Sequence, residues 1–479
     1  MGTRAAHKSS ISSGIMKVVS LFTSLQVVNV LCSMIKMKFV SLWLEATGVG
    51  LFGLYSTITE TLATLTDTGL RQSSVREVAS ERDKPSRLRR LVAVVRSWSC
   101  VSGLVGCVLV CAFSPLLAIL LFDDISQWWN FIILGFCMLV NSLSSGEHAI
   151  LQGLGRFKYI ARAVLAASVT GLVISIPMFR FFGHTSVILS ILVYALAGLF
   201  FVRRYRYDTQ GERPSVRKLK EGKDLAKIGG FIALAAFMAQ MGNTVFVTWL
   251  NRYASTAEVG YFQAGNTLVI RYVGFVISAI GMEFYPRLSA NIRSRMRHNV
   301  FVNHEITLIL TALTPLILLF LLFRHVMVWV LYTPAFEIIL PFITIGIIHA
   351  IFRSTSSVVA FSIVAKGDGK TYFFVETIDA LWGVILTITG YRLAGLPGVG
   401  VAYILWFLSY FIFTTVICRR RYNLCISRRT LLAIVLSLSI CVCAAFAVTL
   451  LPWYVYAPLL LVPVVFYLRR LMKLFLPKF

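Results

Sequence analysis

Arg271 and Arg353 stand near the middle of long apolar stretches at 259–284 and 335–365. A charge at mid-bilayer costs about 2.5–3.5 kcal/mol on insertion scales, so such residues face a bundle interior or a wet cavity. Their helical neighbours are polar. At 100° per residue, Gln263, Thr267, Arg271, Gly274 and Ser278 share one face within about 80°, with Asn266 at its border. His349, Arg353, Ser356 and Ser357 form a second row, and Gln240, Asn243, Thr244 and Asn251 a third. Others run Gln26, Asn29, Ser33, Lys36; Ser56, Glu60, Thr64, Asp67, Arg71; Asn141, Ser145, His148, Gln152; and Tyr372, Glu376, Asp379, Gly383. Guanidinium groups in such rows suit an anion, and amides suit hydroxyls. The uncharged members equally suit hydrogen bonding between helices. Lys36 either joins the anion site or snorkels outward, and Arg96, near a span end, is expected to snorkel. Glu60, Asp67, Glu376 and Asp379 are candidates for coupling to a proton or sodium gradient; the alternative is a static ion pair with an arginine.

The elements that carry these rows must be membrane spans. Of 479 residues, 58% are apolar and 14% charged, against about 45–50% and 25% in a soluble domain. At about 20 residues per span, that apolar content fills roughly fourteen. Hydrophobic blocks fall at 15–44, 48–70, 91–122, 128–150, 159–181, 185–202, 228–250, 259–284, 300–323, 335–365, 371–391, 396–418, 430–450 and 452–468. The blocks at 91–122 and 335–365 exceed one straight span; Pro115 marks the end of the first, and each is expected to be one tilted or bent helix rather than two. The first block is too long for a signal-peptide core and is expected to be retained. The predicted class is all-α and polytopic.

The net charge of +26 fits cytoplasmic loops rather than nucleic acid. With the N-terminus inside, 37 of the 46 Lys and Arg fall on the cytoplasmic side and six outside: Lys36, Lys38, Arg180, Arg252, Arg324 and Arg392. Both termini are therefore expected to be cytoplasmic. Val49-Gly50-Leu51-Phe52 and Val259-Gly260-Tyr261-Phe262 open the second and eighth blocks 210 residues apart, and Gly155-Arg156 and Gly369-Lys370 are 214 apart. Two six-span halves related by an axis along the membrane normal would produce such a repeat. The expected organisation is a tail at 1–14, an N-lobe at 15–204, a linker at 205–227, a C-lobe at 228–418, and two peripheral spans with a tail at 419–479.

Covalent chemistry has no obvious seat. Loops are short, so no extramembrane catalytic domain is expected. The phosphate-cradling Gly-x4-Gly-Lys-[Ser/Thr] loop fails at Val364 ahead of Gly369-Lys370-Thr371. The nine cysteines contain no Cys-x-x-Cys pair and read as small buried apolar residues. No metal, cofactor or enzymatic activity is expected.

Two segments resemble a known family. Gly50-Leu51-Phe52-Gly53-Leu54-Tyr55 with Gly69-Leu70-Arg71 and Val75-Arg76-Glu77 are similar to the second span of O-antigen type (Wzx-type) polysaccharide flippases. Val259-Gly260-Tyr261-Phe262-Gln263-Ala264, Arg271-Tyr272-Val273-Gly274 and Phe284-Tyr285-Pro286-Arg287-Leu288-Ser289 resemble their eighth span. The resemblance, to the multidrug/oligosaccharidyl-lipid/polysaccharide exporter superfamily, implies two lobes around a cationic cavity that work by alternating access. It implies a bacterial inner-membrane location and a polyprenyl-pyrophosphate-linked oligosaccharide as cargo, with membrane lipid and a glycan polymerase or chain-length machinery as partners. Arg271, Arg353 and Lys36 would then meet the pyrophosphate, and Gln263, Asn266, Gln240 and Asn243 the sugars. A multidrug or organic-cation antiporter of the same superfamily is the alternative, and a membrane glycan polymerase or ligase a third reading that short outer loops disfavour.

Overall fold

Every apolar block carries helix, because in lipid only internal hydrogen bonding satisfies the backbone. The computed structural model describes residues 28–66, 70–82, 84–208, 223–271 and 294–475, with Gly274, Phe284 and Leu288 between them. Within these stretches the side chains at 65–66, 70–72, 223–233, 235–236, 239, 271, 295, 470 and 473–475 lie outside the description. No strand occurs among the described residues.

The helices are α1 (28–43), α2 (Glu45–Thr66), α3 (Leu70–Ser80), α4 (Pro85–Ala112), α5 (Ser114–Phe122), α6 (Trp128–Gly153), α7 (Phe157–Phe182) and α8 (Ser186–Arg203). They continue with α9 (Lys223–Tyr253), α10 (Thr256–Asn266), α11 (Arg295–Leu331), α12 (Leu340–Gly346), α13 (His349–Ala365), α14 (Gly369–Tyr422), α15 (Arg428–Leu450) and α16 (Trp453–Phe475). Among the described residues, six stretches are each long and apolar enough to cross a bilayer, and a seventh is the bent pair Pro334–Gly346 and His349–Ala365. Two of the six, Phe157–Arg203 and Gly369–Tyr422, each fold as two helices. The chain is a multi-pass membrane protein.

The breaks have local causes. The block at 91–122 is two helices rather than the one expected: it divides at Phe113, with Pro115 in the first turn of α5; proline is tolerated there because that N–H has no helical partner. The block at 335–365 bends by 49° between α12 and α13. Within α14 the helix reverses at Ala394 and Gly395, just before Pro397. Gly395 has φ 62°, a left-handed conformation that side chains disfavour.

The chain forms two compact units, Met1–Gly260 and Tyr261–Phe479. In the first, α6 packs against α4 and α8, α7 against α8, and α9 against α2. Its core gathers Val140, Leu151, Ile160, Val202 and neighbours. In the second, α11 packs on α15 and α16, while α12 and α13 pack on α14. Leu432, Phe446 and Val462 on α15 and α16 are exposed apolar side chains of the lipid-facing kind.

Two arginines differ from expectation. Arg96 does not snorkel: it is 7% exposed, and its Nε and Nη2 donate to Glu147 on α6 at 2.7 and 3.0 Å. Nη2 also donates to the Tyr207 carbonyl, and Arg206 flanks the same carboxylate at 3.3 Å. A planar guanidinium matches a carboxylate two bonds at a time, which makes burial tolerable. Arg324 is not a loop residue. It is buried in α11, donating to Thr344 Oγ1 at 2.6 Å and the Val448 carbonyl at 2.9 Å, and so ties α15 to α11 and α12.

Candidate functional site

The repeated Val-Gly pairs meet. A Cβ on Gly50 would overlap the Thr256 carbonyl oxygen, and one on Gly260 would overlap that of Ala46. Each glycine's imagined Cβ also lies 3.0 Å from the other's backbone nitrogen. Residues 46 and 50 thus face 256 and 260 reciprocally, at the offset of 210 seen in the sequence. Such i-to-j and j-to-i pairing is the signature of a local two-fold relation. Glycine is required because the two backbones touch.

The same end of the first unit carries further ties. Asn251 Nδ2 donates to the Leu121 carbonyl at 2.7 Å, and Thr256 Oγ1 donates to Asn251 Oδ1 at 2.8 Å. Arg252 pairs with Asp123 at 2.8 Å.

Deeper in this unit, α2 and α9 lie together along their polar rows. Gln240 Nε2 donates to Glu60 Oε2 at 3.2 Å, and the Thr61 and Thr244 hydroxyls are 2.5 Å apart. Asn243 is half-buried on the same helix. Lys36 places its ammonium 4.4 Å from the centre of the Phe52 ring, a cation–π arrangement. The Ser168 hydroxyl donates to Asn29 Oδ1 at 2.8 Å, tying α7 to α1.

In the second unit, α13 and α14 hold a knot of charge and aromatics. The Arg353 guanidinium sits 5.4 Å from the Phe407 ring centre, and its buried Nη1 has no hydrogen-bond partner. No carboxylate pairs with it among the described residues. One turn earlier, the fully buried His349 bonds through Nδ1 to the Gly346 carbonyl at 2.6 Å and leaves Nε2 unpartnered. Ser356 and Ser357 both donate back to the Arg353 carbonyl, so they offer little to a ligand. Across from them, Trp406 Nε1 donates to Asp379 Oδ1 and Tyr410 OH donates to Glu376 Oε1, both at 2.7 Å. Tyr403 OH donates to Asn266 Oδ1 at 2.9 Å. Both acids are thus held by neutral donors from the far arm of α14. A carboxylate bonded by neutral donors can exchange a proton without breaking an ion pair.

Arg271 ends a π-helical turn, Thr267–Arg271, directly after α10. That turn shifts the 100° register assumed for the row from Gln263, and π-bulges are often found at functional sites. The Arg271 side chain lies outside the described residues, as does Asp67. Gln263, Asn266, Arg353, Glu376 and Asp379 belong to one unit; Lys36, Glu60, Gln240 and Asn243 belong to the other.

Sequence reasoning missed Glu147. Its signal was present: Arg96 in an apolar stretch needs an acid on a neighbouring span, and Glu147 stands beside His148 in the polar row of the fourth block. It also missed Asp368, in the turn before α14. This carboxylate accepts from the Thr371 amide and hydroxyl, from Tyr422 OH at 2.8 Å and from Arg421 at 3.0 Å. The Thr371 bonds above all, then those of Tyr422 and Arg421, pull its pKa down to about 2. The first unit carries a related staple: Arg156, after the turn at Gly155, lies 5.7 Å from the Tyr207 ring centre.

Comparison with known proteins defines the class. The structure is similar to a lipid II flippase, MurJ, in an inward closed conformation, with TM-score 0.73 and 14% identity over 96% of this chain and 98% of that one. It is also similar to an inward-facing multidrug resistance MATE family transporter of the MOP superfamily, with TM-score 0.67 and 13% identity over 82% and 94%. A MOP superfamily transporter from Pyrococcus furiosus, described as having a binding pocket of reversed polarity, aligns at TM-score 0.56 and 15% identity over 83% and 92%. The fold is therefore shared with these membrane transporters. No curated protein matches by sequence. The polysaccharide biosynthesis protein family matches residues 15–292, and the chain belongs to that family.

Proposed function

We propose that this chain is a flippase that carries a polyprenyl-pyrophosphate-linked oligosaccharide across the bacterial cytoplasmic membrane, without covalent chemistry. The observation that carries the reading is Arg353, a cation within a membrane span whose buried Nη1 is unpartnered and which, among the described residues, has no carboxylate within salt-bridge distance. A pyrophosphate would complete it with charge-assisted hydrogen bonds. Family membership supports a glycan as the remainder of the cargo. Arg271 and Lys36 would add charge, and Gln263, Asn266, Gln240 and Asn243 would bind sugar hydroxyls. Transport would proceed by alternating access between lobes at 15–204 and 228–418, both termini remaining cytoplasmic. The Gly50–Gly260 crossing would close the outer side, and Glu60, Asp67, Glu376 or Asp379 would couple the cycle to a proton or sodium gradient.

The test is Arg271→Ala and Arg353→Ala in cells lacking the chromosomal copy. Both are expected to lower glycan export at normal expression, and full export by both would refute the cationic site.

A second reading, an organic-cation antiporter, draws on Glu376 and Asp379 beside Tyr410 and Trp406, since acids and aromatic faces suit a cation. Drug efflux lost on deletion of the gene, with glycan export intact, would favour it.

A further inference from the structure

We propose that the α7–α8 hairpin carries a binding site for one anionic phospholipid of the leaflet that charge asymmetry assigns to the cytoplasmic side. The hairpin closes on itself through Ile160, Ala163, Leu199 and Val202. At its open end the rings of Tyr159 and Tyr205 lie against each other, tilted, at 5.0 Å between centres. Outside this seam lies a groove of about 470 Å³ lined by Leu196, Leu199, Phe200, Arg203 and Arg204. That volume falls in the range of small-ligand pockets, about 300–1,000 Å³.

The order of the lining residues matches an amphiphile. Leu196, Leu199 and Phe200 come first, at the depth of acyl chains, and Phe200 is 66% exposed. Arg203 and Arg204 follow at the end of α8, where a headgroup phosphate would lie. Both guanidinium groups are exposed and have no hydrogen bond or ion pair within the described protein. Their neighbour Arg206 differs, because Glu147 engages it. Lys158 and Arg162 stand one turn apart at the start of α7 and are likewise exposed and unpaired, so the whole hairpin end is cationic. A phosphodiester supplies the missing charge, and guanidinium forks bind phosphate two bonds at a time. The site is independent of the cargo reading, since it uses none of the residues assigned to cargo.

Native mass spectrometry of the purified full chain, mixed with phosphatidylglycerol and phosphatidylcholine, tests the site. Basic side chains near an anionic surface contribute about 1 kcal/mol each. The Arg203→Gln, Arg204→Gln pair should therefore retain phosphatidylglycerol about 30-fold less well than the unaltered protein. The charge-matched control Arg419→Gln, Arg420→Gln, at the end of α14, should retain it as before. Leu196→Trp keeps both charges but fills the groove, and it too should lose the lipid. Equal retention by the two arginine pairs would overturn the proposal. So would full retention by Leu196→Trp, because diffuse attraction would then suffice. Displacement of the lipid by millimolar inorganic phosphate would also overturn it, since the acyl groove would then contribute nothing.

Discussion

Alanine at Gly50 should open the outer side. Its Cβ would overlap the Thr256 carbonyl oxygen and lie 3.0 Å from both the Thr256 carbonyl carbon and the Gly260 nitrogen. The start of α10 is rigid backbone, so the helices must separate by several tenths of an ångström at least. Overpacking of this kind costs about 1–3 kcal/mol. A state in which residues 46–50 and 256–260 have parted bears none of that cost. The closed-to-open ratio should therefore fall by about 5- to 150-fold. The reciprocal change Gly260→Ala should do the same. The double variant should fall short of the sum, because the first methyl already spreads the contact. The assay is labelling of Ser56→Cys, in a background without other cysteines, by a maleimide that does not cross the membrane. Gly369→Ala, whose Cβ would meet open space, is the control for handling and expression. Faster labelling in both alanine variants but not the control is the expected result. Unchanged labelling in properly inserted Gly50→Ala and Gly260→Ala would refute the crossing as the closing contact.

Further predictions follow from the charges. Glu147→Gln leaves Arg96 buried without its carboxylate and should destabilise the protein by about 3–5 kcal/mol, read as a lowered Tm in detergent; Arg96→Met with Glu147→Leu should recover much of that loss. Asp368 has a folded pKa of about 2, below the roughly 3.9 of a free aspartate. Its ties to Thr371, Arg421 and Tyr422 should thus be fully present above pH ~4 and lost as the pH falls through about 2. Hydrogen exchange across 366–372 should show that loss, and Asp368→Asn should show raised exchange already at neutral pH. Arg353→Ala should weaken cargo binding by about 10- to 150-fold, the value of one charged hydrogen bond of about 1.5–3 kcal/mol. Arg353→Lys, a cation without the fork, should recover only part, measured by retention of the lipid-linked glycan on the purified protein.

Much of the architecture was legible because bilayer physics is strict. Apolar length alone gave the helical class; Pro115 stood out in the block at 91–122, but length by itself did not show that the block divides there into α4 and α5. The repeat of Val49-Gly50 at Val259-Gly260 was visible as text, but only coordinates revealed that the two glycines touch. Partners across helices were not legible. Arg96 read as a snorkelling residue because its acid lies 51 residues away on another helix. Arg324 read as a loop residue because its hydrophobic block was ended too early; α11 continues to Leu331. Periodicity found the row containing Arg353 but could not know that its serines bond to their own backbone. The π-helical turn at Thr267–Arg271 also escaped, since a pattern read at 100° per residue presumes a regular helix.

The most direct test of the central claim asks on which face of the membrane lipid-linked oligosaccharide accumulates when the gene is deleted. Everted vesicles expose the cytoplasmic leaflet to a lectin or glycosidase that cannot cross the membrane, and intact spheroplasts expose the outer one. The account predicts single units trapped on the cytoplasmic face, released by the unaltered gene and not by Arg353→Ala. Units already on the outer face of the deletion strain would contradict it.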